Sequence, residues 1–216
     1  MPDPKDKIEE QNLLHSAMMA SEDNRSDDAR RSLEKVLQLD PKSATALRQL
    51  GELELRAGEY SKAAEHLKHA REVSPTDATA AFYEGQALQK VGNLAGARDA
   101  LEASLKLMPG QFPARLLLGE VYLRLKDTTA AEDQFEAAQL LQPDSEEAQL
   151  GSVKVKIASG RFKDAVAQLD PLSKSQPNHA EVFELLAQAY RGLGNNEDAQ
   201  NAETRAKLLR EKRAKP

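Results

Sequence analysis

The sequence predicts an all-helical fold assembled from tandem helix pairs, and three observations carry that prediction. Alanine (33) and leucine (30) fill 63 of 216 positions, whereas valine and isoleucine together supply 10. Strands favour β-branched residues, so this ratio argues against a β-rich or doubly wound fold. Pro41, Pro75, Pro109, Pro143 and Pro177 recur every 34 residues, and Ala29, Ala63, Ala97, Ala131, Ala165 and Ala199 keep the same interval. Leu33, Leu67, Leu101, Phe135 and Leu169 each follow an alanine by four residues, about one helical turn, until Glu203 breaks the row.

Each element of the period has a physical reason. Across residues 44–77 apolar side chains recur at helical spacing in two blocks, Leu47, Leu50, Leu53 and then Ala63, Leu67, Ala70. Gly58 between them predicts a helix stop, because glycine accepts the left-handed conformation, and Gly92, Gly160 and Gly194 hold the same phase. The small residues Gly51, Gly85 and Gly119, in phase with Ala17, Val153 and Ala187, let the second helix of a pair come close, and the alanine row does the same from the other side. The proline ends the second helix, since it lacks an N–H and clashes with the preceding turn.

In chain order the period predicts a linker at 1–9, then helix pairs at 10–43, 44–77, 78–111, 112–145, 146–179 and 180–213, and a tail at 214–216. The first and last pairs are the most degenerate, as terminal units with a wetted face are expected to be. Pro171 falls inside the second helix of the fifth pair and is expected to kink or shorten it, and Val153 suggests altered packing nearby. Glu203 and the charged stretch from Arg205 to Lys215 read as a C-terminal capping helix.

The composition excludes whole classes of function. Without cysteine there is no disulfide scaffold, thiol catalysis or cysteine-ligated metal. The net charge is −5, divided into +4 over residues 201–216 and −9 over the rest, which argues against nucleic acid as a partner. No apolar run approaches the ~18 residues of a membrane span. No apolar signal region opens the chain, so as written it is expected to be cytoplasmic, though a longer parent protein could be exported. No Gly-rich phosphate loop, G-x-S-x-G or H-E-x-x-H occurs, so neither enzymatic activity nor a cofactor is expected. His66 and His69, at i and i+3, lack a third ligand at a fixed spacing and read as a solvated helix face rather than a metal site. The seven acidic residues between Lys126 and Lys154 read as helix-start charge and solvated surface before an acidic docking patch.

The four ladders resemble the tetratricopeptide repeat family, whose 34-residue helix–turn–helix unit has small residues at its eighth and twentieth positions and proline near its end. Gly51 with Tyr60 and Ala63, Gly85 with Ala97, and Gly119 with Tyr122, Ala131 and Phe135 stand on those motif positions. The resemblance implies an all-α superhelical solenoid of six repeats and a non-enzymatic scaffold that binds a peptide or helix of a partner protein in its concave groove. Groove positions of the family fall here on Arg48, Phe82, Leu116 and Leu150, on Glu52, Gln86, Glu120, Lys154 and Gln188, and on Arg56, Lys90 and Arg124. The last three form a basic ladder at 34-residue spacing, a rail for an acidic segment. Glu52 with Arg56 and Glu120 with Arg124 are spaced to match part of that charge internally. The lysine and asparagine with which co-chaperone members clamp a terminal carboxylate are replaced by Leu14 and Met18. The alternatives are a homo-oligomeric scaffold and a non-catalytic module of a larger enzyme. For the latter, residues 2–9 resemble the junction after the catalytic domain in some bacterial sulfatase-like proteins.

Overall fold

The helices α1 (Pro4–Glu22), α2 (Ser26–Leu39), α3 (Ala44–Ala57), α4 (Tyr60–Val73), α5 (Ala78–Lys90) and α6 (Leu94–Leu107) come in pairs that follow the 34-residue period. The same holds for α7 (Phe112–Arg124), α8 (Thr128–Leu141), α9 (Glu146–Ala158), α10 (Phe162–Ser175), α11 (Ala180–Gly192) and α12 (Asn196–Ala214). These elements belong to a computed structural model that describes residues 4–214, and among them every regular element is a helix.

The turn inside each pair repeats one backbone solution. Gly58, Gly92, Gly160 and Gly194 have φ between 75° and 85°, and Asn24 and Lys126 adopt the same left-handed conformation at the matching phase. The next residue donates its N–H five residues back, from Arg25 to Ala20 at 2.7 Å, Glu59 to Glu54 at 2.8 Å and Asp127 to Tyr122 at 3.0 Å. This bond satisfies a carbonyl that the helix end leaves unpaired. Each second helix from α2 to α10 ends two residues before one of the periodic prolines. Asp77 then caps α5 by accepting from Thr79 and Ala80 N–H at 3.0 and 2.9 Å, and Ser145 caps α9 through Ala148 N–H at 3.2 Å.

The chain divides between Leu117 and Leu118, within α7, into two compact units. In the first, Ala29, Leu33, Ala63, Leu67, Ala97 and Leu101 are buried, as the ladders predicted. A methyl group placed on Gly51 would approach Leu67 Cγ to 2.5 Å, and one on Gly85 would approach Leu101 Cγ to 2.6 Å. The small row is therefore the floor on which the large row rests, and each buried leucine contributes about 1.5–3 kcal/mol. Leu47, Ala70 and Ala80 join α3, α4 and α5 in one apolar cluster.

The second unit fills the same space differently. Phe135, on α8, takes the place of leucine and is wedged between Gly119 on α7 and Gly151 on α9, where added methyl groups would collide with its ring. Val153 is fully buried with Ala165, Leu169, Val182 and Leu186, so the departure from glycine there becomes apolar core.

Three expectations change. Residues 4–9, read as linker, belong to α1, because proline fits the first helical turn and the charged residues after it extend the helix. Residues 1–3 of that linker and 215–216 of the tail lie outside the described residues. Pro171 does not shorten α10, which keeps 14 residues with the proline inside. The C-terminal cap is no separate element but the last part of the 19-residue α12.

Candidate functional site

In the first unit, residues spaced by four place Arg48, Glu52 and Arg56 in one stripe on α3 and Phe82, Gln86 and Lys90 in another on α5, two helices in contact. All six are half-buried or exposed, while the opposite side of each helix holds the core residues Leu47, Leu50, Ala81 and Gly85. Arg48 ties the stripes together. It bonds Glu52 on its own helix and, through Nε, reaches the Asp77 carboxylate at the start of α5 at 3.2 Å. The expected match of Glu52 with Arg56 is thus replaced by Arg48, since Asp77 draws Arg48 to this side and the two carboxylates share it. Arg56 and Lys90 are exposed and hold no ion pair among the described residues.

Tyr83, which the groove positions did not single out, packs beside this face with its ring centroid 5.2 Å from that of Phe82. Burial pushes its hydroxyl above the ordinary tyrosine range and nearby Glu52 adds to this, while Arg48 and Arg56 pull it back. The hydroxyl therefore lies within the field of the α3 stripe. Its place immediately after Phe82 in the sequence is the signal that could have found it.

Behind the face lie two buried carboxylates. Glu54 on α3 is 2% exposed and accepts from His66 Nδ1 at 2.8 Å, with Arg30 of α2 at 3.7 Å. Arg30 also holds Glu59 at 2.7 Å. The hydrogen bond to Glu54 raises the His66 pKa against the opposing effect of burial. His66 is thus a half-buried hydrogen-bond partner of Glu54 rather than part of a solvated face, because a carboxyl buried in the core requires donors to meet it. Glu84 on α5 meets Arg71 Nε at 2.7 Å, yet burial still drives its carboxyl above the usual glutamate range. No group of three or more His, Asp or Glu side chains stands in a metal-binding arrangement among the described residues.

In the second unit, a cleft of about 290 Å³ is lined by Glu120, Glu147, Leu150, Lys154, His179 and Glu181. Lys154 bonds Glu181 at 2.7 Å, His179 pairs with Glu146, and Glu147 accepts from its own helix cap Ser145 at 2.9 Å. Two further acids of the stretch are engaged, Glu132 with Arg161 at 2.7 Å and Asp127 capping α8. Leu150, placed by phase in the groove, is 4% exposed and belongs to the buried apolar cluster of α9–α11 that also holds Leu169 and Val182. Arg124 and Glu120 are exposed, and Leu116, in the first unit's part of α7, is half-buried.

Gln188 is exposed in a separate cleft of about 430 Å³ between α11 and α12. Its walls are internally paired, Arg191 with Glu203 at 2.8 Å and Arg210 with Glu184 at 2.6 Å. Arg205 donates to the Pro177 carbonyl at 2.8 Å and lies 5.8 Å over the Phe183 ring. The basic end is to this extent spent on capping.

Paired helices of one period, a small residue under each large one and a left-handed turn at fixed phase define an α-helical repeat protein of the solenoid class. The model of the tetratricopeptide repeat family matches residues 20–83, 88–151 and 126–189, and the chain belongs to that family. No curated protein matches it. Among solved structures it is similar to a tetratricopeptide repeat protein from Parabacteroides merdae, at 19% identity and TM-score 0.80, covering 95% of this chain and 85% of that one. It is also similar to pilF of Pseudomonas aeruginosa, at 18% identity and TM-score 0.71 over 95% and 93% of the two chains. YrrB, described as a TPR protein with an unusual peptide-binding site, aligns at 20% identity and TM-score 0.67 over 82% and 91%.

Proposed function

We propose that this protein is a non-enzymatic scaffold that binds a segment of a partner protein on the exposed faces of its first-of-pair helices. The observation that supports this reading is the division of labour around α3 and α5. One side of each helix supplies the core, and the other carries the exposed cations Arg56 and Lys90 and the half-buried ring of Phe82. A few apolar anchors supply affinity in such a surface and charged rows set register. The peptide-binding site named for YrrB, a protein of the same fold, agrees with it.

Selection of a random peptide library on the immobilised full chain tests the reading. Ligands should be enriched, and they should be lost when Phe82 and Leu116 are changed to alanine. They should survive Lys68→Ala with Glu72→Ala, since that exposed pair lies on the outer side of α4. Equal loss with both variants, or no enrichment at all, would sink it.

A further inference from the structure

The two stripes of the first unit have unequal charge and unequal chemistry, and the inequality specifies what would fit them. On α3 the cation Arg48 is consumed by Glu52 and Asp77, so the row ends in a single unmatched cation, Arg56. On α5 the row starts with the half-buried ring of Phe82, continues through the neutral Gln86 and ends in a second unmatched cation, Lys90. Arg56 and Lys90 stand at the same phase of successive periods, each in the last turn of its helix. The helix dipole favours a cation there, which accounts for their presence but not for the absence of a counter-charge. Elsewhere in this unit most side-chain cations with a carboxylate in reach are paired, as Arg30, Lys62 and Arg71 show.

Phe82 and Lys90 are eight residues apart on one helix, which places them about 12 Å apart along its axis. An extended chain advances about 3.3–3.6 Å per residue, so three or four residues span that distance. We propose that the α3–α5 face takes an extended acidic peptide segment with an apolar side chain three or four residues from a pair of carboxylates. The apolar side chain lies against Phe82, and the two carboxylates engage Arg56 and Lys90. Tyr83 and Arg48 form the wall of this site, and the Arg48–Asp77 bond holds the α3 and α5 rows in register. The assignment rests on the scaffold reading and narrows it to one partner chemistry.

The experiment uses the full chain and dye-labelled ten-residue peptides followed by fluorescence polarisation. The reference peptide carries one Phe three residues from a Glu-Glu pair in an otherwise Gly/Ser sequence, made in both chain directions. A second places Phe next to the pair, and a third replaces the pair by Lys-Lys. The better of the two reference directions should bind at least tenfold more tightly than either control. Arg56→Glu combined with Lys90→Glu should weaken it at least tenfold, Phe82→Ala should weaken it several-fold, and added salt should weaken it further. Circular dichroism confirms that these surface variants stay folded. Equal binding of the acidic and basic peptides, or binding untouched by the double variant, overturns the assignment. If the acidic peptides fail while library-selected peptides of another composition bind and are lost with Phe82→Ala and Leu116→Ala, the partner chemistry is wrong and the scaffold reading stands. If no peptide of any kind binds, both fall together.

Discussion

The two units build the same repeat from different materials. The first rests leucines on glycines, Leu67 on Gly51 and Leu101 on Gly85, and it buries two carboxylates, Glu54 and Glu84, against cations from neighbouring helices. The second wedges Phe135 between Gly119 and Gly151, and among its described residues no ionisable side chain is buried. The difference teaches that the repeat constrains volume and phase rather than residue identity. A larger ring is accepted where a second glycine opens space on the next helix, and a carboxylate is accepted where a donor reaches it.

The largest test of the comparison overpacks each unit at its alanine row. Ala131→Trp and Ala97→Trp should each cost about 3 kcal/mol, because both alanines are fully buried at a close helix contact. Denaturant melts that leave either variant at wild-type stability would remove the close-contact assignment. A smaller change separates the units. Gly151→Ala should cost about 2 kcal/mol, since the rigid Phe135 ring cannot rotate away from a new methyl group. Gly51→Ala should cost about 1 kcal/mol, since the leucine it meets can shift its rotamer. Equal losses would mean that the ring is not the controlling feature.

The pH dependence should belong to the first unit. The folded pKa of His66 is raised by Glu54, so its stabilisation is fully present below the unfolded value of about 6.5 and is lost as pH rises through the folded value. Glu84 acts with the same sign, because burial raises its folded pKa and stability falls as that carboxyl ionises. Amide exchange in α3 and α4, corrected for intrinsic rates, should therefore quicken as pH rises above about 6.5, and His66→Gln should flatten that rise. A slope that His66→Gln leaves intact and Glu84→Gln removes would assign the effect to Glu84 alone. The smallest effect expected is a gain. Lys126 holds a left-handed conformation that glycine takes at four of the six equivalent turns, so Lys126→Gly should stabilise the second unit by about 1 kcal/mol or less. A loss in thermal melts would show that the Lys126 side chain contributes more than its backbone strain costs.

Much of this was legible beforehand. The period located every helix pair, because proline, alanine and glycine act through local backbone and volume constraints that recur wherever the residue does. Gly58 and its equivalents stop helices for the same reason, although Asn24 and Lys126 carried no such signal. The groove positions were legible as a phase and less so as a site. Leu150 turned out to be core, Arg48 displaced Arg56 as the partner of Glu52, and His66 faces a buried carboxylate. Each of those outcomes depends on residues from another helix, Val182, Asp77 or Glu54, whose approach a helical wheel does not contain.

The sequence by itself determined the fold class, the succession of helix pairs and the apolar rows that pack within them. All of these follow from short-range rules repeated every 34 residues. Only the tertiary structure decided which charges are already matched. Ion pairing depends on distances of a few ångströms, and Glu52 and Asp77 both bond Arg48 while Arg56 and Lys90 hold no ion pair among the described residues.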